Sequence, residues 1–226
     1  MCRNDRPTTI MKQWLLILVL ALFSNLVTAA ESDQVVIGEF SSGKLDGWET
    51  KVFENRTRYQ LTQLDNTQVL RADSQTSASG LVRKIRIDLQ KYPFLNWRWR
   101  IENRLGKLDE QSKSGDDYAA RVYVIVDGGL FFWNTKAINY VWANRSPKGH
   151  VWPNAFGGRN AMMMALRSGE DRTDAWYVEK RNILQDFNKL FGKEIRYIDA
   201  VALMTDTDNS KGEVTSFYGD IYFSVK

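Results

Sequence analysis

The sequence predicts an all-β fold, a β-sandwich or jelly roll with one short amphipathic helix near residues 182–191. Three observations carry that expectation. Apolar residues alternate at a period of two along most of the chain. Turn-forming residues interrupt the alternation at short intervals. Only one stretch changes to helical spacing.

The strands follow in chain order. Val35–Phe40, Trp48–Phe53, Arg58–Leu64 and Gln68–Ala72 are short runs rich in β-branched and aromatic residues. Leu81–Leu89 places Leu81, Ile85, Ile87 and Leu89 on one face, with Arg83 intruding. Phe94–Ile101 sets Leu95, Trp97, Trp99 and Ile101 against Asn96, Arg98 and Arg100, which makes the two tryptophans core residues. In Tyr118–Asp127 the set Tyr118, Ala120, Val122, Val124 and Val126 opposes Ala119, Arg121, Tyr123 and Ile125. Asp127-Gly128-Gly129 is a tight-turn signal before Leu130–Trp133. Ala137–Trp142, Ala161–Leu166 and Trp176–Lys180 come next. From Asn182 to Phe191 the residues Ile183, Leu184, Phe187, Leu190 and Phe191 fall on one helical face, with Asn182 as N-cap and Gly192 as the stop. Tyr197–Thr205 and Phe217–Val225 complete the strands.

The 226 residues divide into a leader over residues 1–30 and a single β-sandwich domain over residues 31–226. Lys12, the apolar run Trp14–Val27 and the small residues Thr28, Ala29 and Ala30 form a signal peptide. The run is shorter than the ~20 apolar residues a spanning helix needs, so no membrane span is expected after cleavage. The expected location is the periplasm or the exterior. The leader takes Cys2, the only cysteine, with it, so the exported domain relies on its core rather than on disulfides. It also takes Arg3, Arg6, Lys12 and Asp5, which leaves a net charge of about +2 and no basic cluster of the kind that binds nucleic acid.

With His150 as the one histidine, metal centres built from His or Cys clusters are excluded, as are the phosphate and dinucleotide loops. Oxygen-ligand cations stay open. Asp206-Thr207-Asp208-Asn209 reads either as part of a calcium loop or as an Asx-rich turn. Asp116 and Asp117 enter a strand that carries Arg121 and Tyr123. Arg121 there either grips a ligand or closes an ion pair with a neighbouring strand; Asp117, on the same face, is too far along the strand to be its partner. Trp133, Trp142 and Trp152 lie near turns and are candidates for stacking on a sugar ring or a partner. Glu179 is a further candidate carboxylate beside the helix, with a salt bridge as the alternative.

Several blocks are familiar together: Leu95-Asn96-Trp97-Arg98-Trp99, Gly115-Asp116-Asp117-Tyr118-Ala119-Ala120-Arg121, Ile138-Asn139-Tyr140-Val141-Trp142, Glu179-Lys180-Arg181-Asn182, Phe191-Gly192 and Met204-Thr205-Asp206-Thr207-Asp208-Asn209. In these the chain resembles the bacterial family called domain of unknown function 3047, a resemblance that implies no particular chemistry. The Phe40–Trp48 stretch and the closing Tyr218-Gly219-Asp220-Ile221-Tyr222 are similar to carbohydrate-binding jelly rolls. In those, first and last strands often share a calcium, which implies structural Ca2+ at Glu39 and Asp220. The expected function is a non-catalytic binding module for a glycan or another cell-envelope component. The alternatives are a carboxylate-dependent glycan hydrolase or lyase and a structural protein that binds an envelope partner.

Overall fold

The computed structural model describes Met1, residues 32–130 and residues 134–226. The expected leader and Trp133 lie outside the described residues. Asp33–Lys226 forms one compact unit. No helix among the described residues is long and apolar enough to cross a membrane.

In chain order the strands are β1 (Gln34–Gly38), β2 (Trp48–Glu54), β3 (Arg58–Leu64), β4 (Thr67–Gln75), β5 (Ala78–Asp88), β6 (Phe94–Ile101), β7 (Arg121–Val126), β8 (Lys136–Trp142), β9 (Val151–Asn154), β10 (Gly158–Arg167) and β11 (Tyr177–Asn182). Helix α1 (Ile183–Phe191) precedes β12 (Tyr197–Asp206), β13 (Glu213–Tyr218) and β14 (Ile221–Ser224). They form two seven-stranded sheets. The first runs β1-β14-β6-β13-β4-β3, with β11 also paired to β6; the second runs β2-β5-β12-β7-β8-β10-β9. The pairs are antiparallel except β8 with β10, which is parallel.

The period-two reading holds because the sandwich buries one face of each sheet. Trp97 and Trp99 are core residues, as their strand parity predicts, and pack edge to face with ring centroids 5.5 Å apart. Val122 and Val124 on β7, Ile138 and Tyr140 on β8, and Val201 and Leu203 on β12 meet them from the second sheet. Helix α1 carries Ile183 and Phe187 into the same core. Its expected caps are both formed. The Asn182 side chain accepts from Gln185 N at 3.0 Å, and Gly192 takes a left-handed conformation at φ 63°.

Five expectations change. The strand expected from Tyr118 begins only at Arg121, so its alternation does not extend back: Ala119 and Ala120 are both buried in the core between the sheets. The glycine pair after Asp127 does not close a tight hairpin. Val126 pairs with Lys136, and Asp127 Oδ1 instead accepts from Gly129 N at the start of a longer loop. The expected last strand is two: β13 and β14 run end to end along β6, separated where Gly219 N donates to Arg98 O at 2.9 Å. Trp142 is not a loop residue open to a ligand but is 2% exposed in the core. It shares the parity of Ile138 and Tyr140 and packs against Trp99 and Tyr177. Trp152 is equally buried, because β9 folds onto β10 and covers a second apolar cluster with Tyr118, Val141 and Met163.

Candidate functional site

The outer face of the second sheet, turned away from the first, holds a cleft of about 380 Å³. A flat sheet of seven strands would separate β2 from β9 by about 29 Å. Phe53 on β2 and Phe156 beside β9 nevertheless line the same cleft, so the sheet curls around it. Alternation within the strands supplies the floor: Met204, Tyr123 and Asn139 point outward while their neighbours face the core. Ala78, Ala137 and Ala161 keep the floor low.

The two phenylalanines are the exposed rings of the site, at 67% and 61%. Phe53 is the extra residue of a β-bulge. Val52 pairs with Ser79 and Glu54 with Ala78, which leaves Phe53 without an opposite residue and re-aims it. Phe156 sits in a turn fixed by Asn154, whose Oδ1 accepts from the backbone nitrogens of Phe156 and Gly157 at 3.0 and 2.7 Å. Neither ring, nor Asn139 or Asn154, is among the residues that the sequence singled out. Asn139 carried a readable signal, a polar residue on the outward parity of β8.

Five of the sequence candidates come together at one end of this cleft. Arg121 is 4% exposed and faces Asp206 across the β7–β12 pair, with Nε 2.9 Å from Oδ1 and Nη2 bonded to Oδ2. The same Nη2 donates to the carbonyl of Asp116, and Nη1 lies 3.6 Å from the Asp116 carboxylate. The Tyr118 ring, rather than the small Ala119, lies beneath the guanidinium at 4.3 Å. Asp117 turns to the other segment. It accepts from Asn209 N at 3.2 Å, Asn209 Nδ2 at 3.1 Å and Ser210 N at 2.5 Å, and so pins the loop after β12. One carboxylate oxygen from each of Asp117, Asp206 and Asp208 falls within 4.8 Å of the others. The DTDN run is the exit turn of β12, and its acids converge with the 116–117 pair.

This crowding sets the electrostatics. Burial raises Asp116, against the pull of Arg121. Burial likewise raises Asp208, and the charge of Asp117 adds to it. Asp206 is raised by burial first, then opposed by Arg121, with Asp117 and Asp116 pushing it further up. Three donors, from Tyr118 N and Arg121, converge on Asp206, and each needs an acceptor. The pair is therefore ionised. Arg121 holds its proton because Asp206 and Asp116 outweigh the burial that disfavours its charge.

The remaining candidates lie elsewhere. Glu179 is buried in the first sheet, accepting from Trp99 Nε1 at 3.1 Å and paired with Arg167 at 2.6 Å. Glu39 is ion-paired with Lys44 at 2.7 Å. Asp220 accepts from Ser41 N at 2.8 Å and from the Ser41 hydroxyl.

The blocks that frame this cleft recur in a known family. Residues 46–222 match DUF3047, described as a protein of unknown function. The chain belongs to that family. No curated protein sequence is similar to it. Among solved structures, this DUF3047 member is similar to a family 11 carbohydrate-binding module from Clostridium thermocellum in complex with a β-1,3-1,4-mixed-linked tetrasaccharide, at 9% identity and TM-score 0.45, covering 86% of this chain and 97% of that one. A family 30 carbohydrate-binding module from the same organism gives 8% identity and TM-score 0.49, covering 85% and 98%. The xyloglucanase domain of NopAA from Sinorhizobium fredii gives 14% identity and TM-score 0.44, covering 88% and 100%.

Proposed function

We propose that this chain is an exported, non-catalytic binding module that takes a glycan of the cell envelope into the cleft of the second sheet. One observation carries the reading: a curled sheet face with exposed rings at both ends, Phe53 and Phe156, and hydroxyl-matching groups between them, Asn139, Asn154, Asp208 and Asn209. A sugar offers apolar C–H faces to rings and hydroxyls to amides and carboxylates, and this lining supplies both. Binding is favoured over hydrolysis by the state of the acids. Asp206 and Asp117 already receive donors on both oxygens, which leaves neither free as a nucleophile or base.

The test is a glycan-array and peptidoglycan-fragment screen, followed by titration of each hit against Phe53→Ala and Phe156→Ala. Both rings are exposed, so both variants keep the melting temperature of the parent. Each weakens binding about tenfold, in the range of one lost aromatic stacking contact. Val178→Ala, at an exposed site on the first sheet, is the control. Unchanged affinity in both phenylalanine variants would place the ligand elsewhere. Release of reducing sugar from a bound glycan, lost in Asp116→Asn, would establish the hydrolase reading instead.

A further inference from the structure

We propose that a second site, independent of the cleft, binds a phosphate-bearing polyanion in the groove at the end of the sandwich where β6, β8 and β10 run out. The groove encloses about 720 Å³ and shares no lining residue with the cleft. Four exposed cations line it: Arg104, Lys107, Arg145 and Lys148.

Among the described residues, none of the four has a carboxylate within ion-pair distance. Arg104 bonds only the carbonyl of Asp171, at 2.6 Å. Elsewhere among the described residues Arg58, Arg71, Arg86, Arg100, Arg181 and Arg196 have carboxylate partners, whereas Arg56, Arg83, Arg98, Arg159 and Arg172 are scattered cations without one; the groove is distinguished by gathering four such cations in one place. Two acids beside the groove are engaged by other partners. Glu110 is buried at 2% and accepts from the backbone nitrogens of Asn144, Arg145 and Ser146 at 2.8, 3.0 and 2.7 Å. Asp171 accepts from Ser168 N at 2.7 Å and faces Arg167 at 3.6 Å. Glu170 and Asp171 are the lining acids against four positive charges, and the Asp171 carboxylate is already engaged by Ser168 N and Arg167.

The groove is also built to hold its shape. Glu110 fixes the loop that carries Arg145 and Lys148. Gly169 lies so close to the carbonyl of Asn144 that a Cβ there would come within 2.2 Å of it. Like charges held together on rigid loops repel one another, and an anion relieves that repulsion. Two guanidiniums and two ammoniums around one groove offer more charge than a single carboxylate can use. They match phosphate oxygens, which take both the planar Arg fork and the Lys point charge.

Inorganic polyphosphate and vesicles of phosphatidylcholine with or without phosphatidylglycerol are the probes, used with the whole protein at low salt. Polyphosphate binds, and its affinity falls as salt is raised through the screening range. The double variant Arg145→Ala/Lys148→Ala weakens binding about tenfold. Lys51→Ala/Lys193→Ala, which removes the same net charge from exposed sites elsewhere, leaves it unchanged. Binding to phosphatidylglycerol vesicles, lost in the groove variant, assigns the phosphate to a lipid headgroup; binding to polyphosphate alone assigns it to a soluble polymer. Equal weakening in the two double variants, or no binding to either probe, overturns the proposal. Glycan binding in the cleft is untouched by either result, because no groove residue lines the cleft.

Discussion

Arg121→Ala removes a guanidinium whose side chain is 5% exposed and whose partner Asp206 is 2% exposed. The substitution leaves the Asp206 carboxylate buried beside Asp116 and Asp117 with no cation. Breaking a buried pair from one side costs about 3–5 kcal/mol, most of it the stranded charge. For a domain of this size each kcal/mol lowers the melting temperature by about 2–4 °C, so a fall of about 6–20 °C is expected. Thermal melts and urea titrations of the purified variant measure it. Two companions separate charge from packing. Arg121→Met/Asp206→Leu removes the stranded carboxylate as well and loses less stability than Arg121→Ala alone. Lowering the pH towards 4 shrinks the Arg121→Ala penalty, because a raised carboxylate takes up its proton early. A melting temperature within about 2 °C of the parent at pH 7, where that conversion requires less than about 1 kcal/mol, would refute the ion-pair reading and return Arg121 to the ligand.

Three further outcomes follow from the same geometry. Asp208 has a folded pKa raised by burial and by Asp117, so its contribution to stability is full below about pH 4, the unfolded value, and is lost as pH rises through the folded value. Asp208→Asn therefore matches the parent near pH 4 and melts higher at pH 8; a pH-independent difference between the two melts would sink this account. Calcium shared by Glu39 and Asp220 is checked by chelation. If the ion is present, a chelator lowers the melting temperature and calcium restores it, at concentrations high enough to displace Lys44 and Ser41, while a flat response removes the ion. Export is checked by intact mass: protein from the periplasm or medium lacks the leader, whereas full-length chain in the membrane fraction contradicts it.

Strand periodicity made the sandwich legible because each strand buries one face, and Trp97, Trp99, Val122 and Val124 lie where parity puts them. Parity says nothing about which strands are neighbours. The placement of β12 beside β7 is what brings Asp206 to Arg121, across 85 residues of chain. The acids were thus readable as two groups and unreadable as one. Trp142 and Trp152 show the opposite failure, since nearness to a turn is a poor guide to exposure. Trp142 had the parity of the core face, while Trp152 belongs to a strand too short and irregular to predict, β9 with Pro153 inside it, and is buried where that strand pairs with β10. Phe53 was hidden for another reason: a bulge reverses the parity by which it would have been assigned.

The break before β7 links these cases to the function. If the alternation of β7 continued back through Ala120 and Ala119, Tyr118 would point into the sandwich and Asp117 would share a face with Arg121 along the strand. Leaving residues 118–120 outside the strand instead puts Tyr118 under the guanidinium and sends Asp117 to the loop after β12. Arg121 then has one fully bonded acid, Asp206, and cannot neutralise the rest of the group. The surplus falls on Asp116 and Asp208, both of which line the cleft and both of which are raised. A surplus of buried negative charge costs folding free energy, and a ligand that brings hydroxyl donors or an amine to those two carboxylates recovers it. On the proposed glycan reading the expected outcome is discrimination by sign: neutral and amine-bearing sugars bind and uronates are repelled by the acids of the cleft, and equal affinity for a uronate and its neutral parent sugar would refute this step.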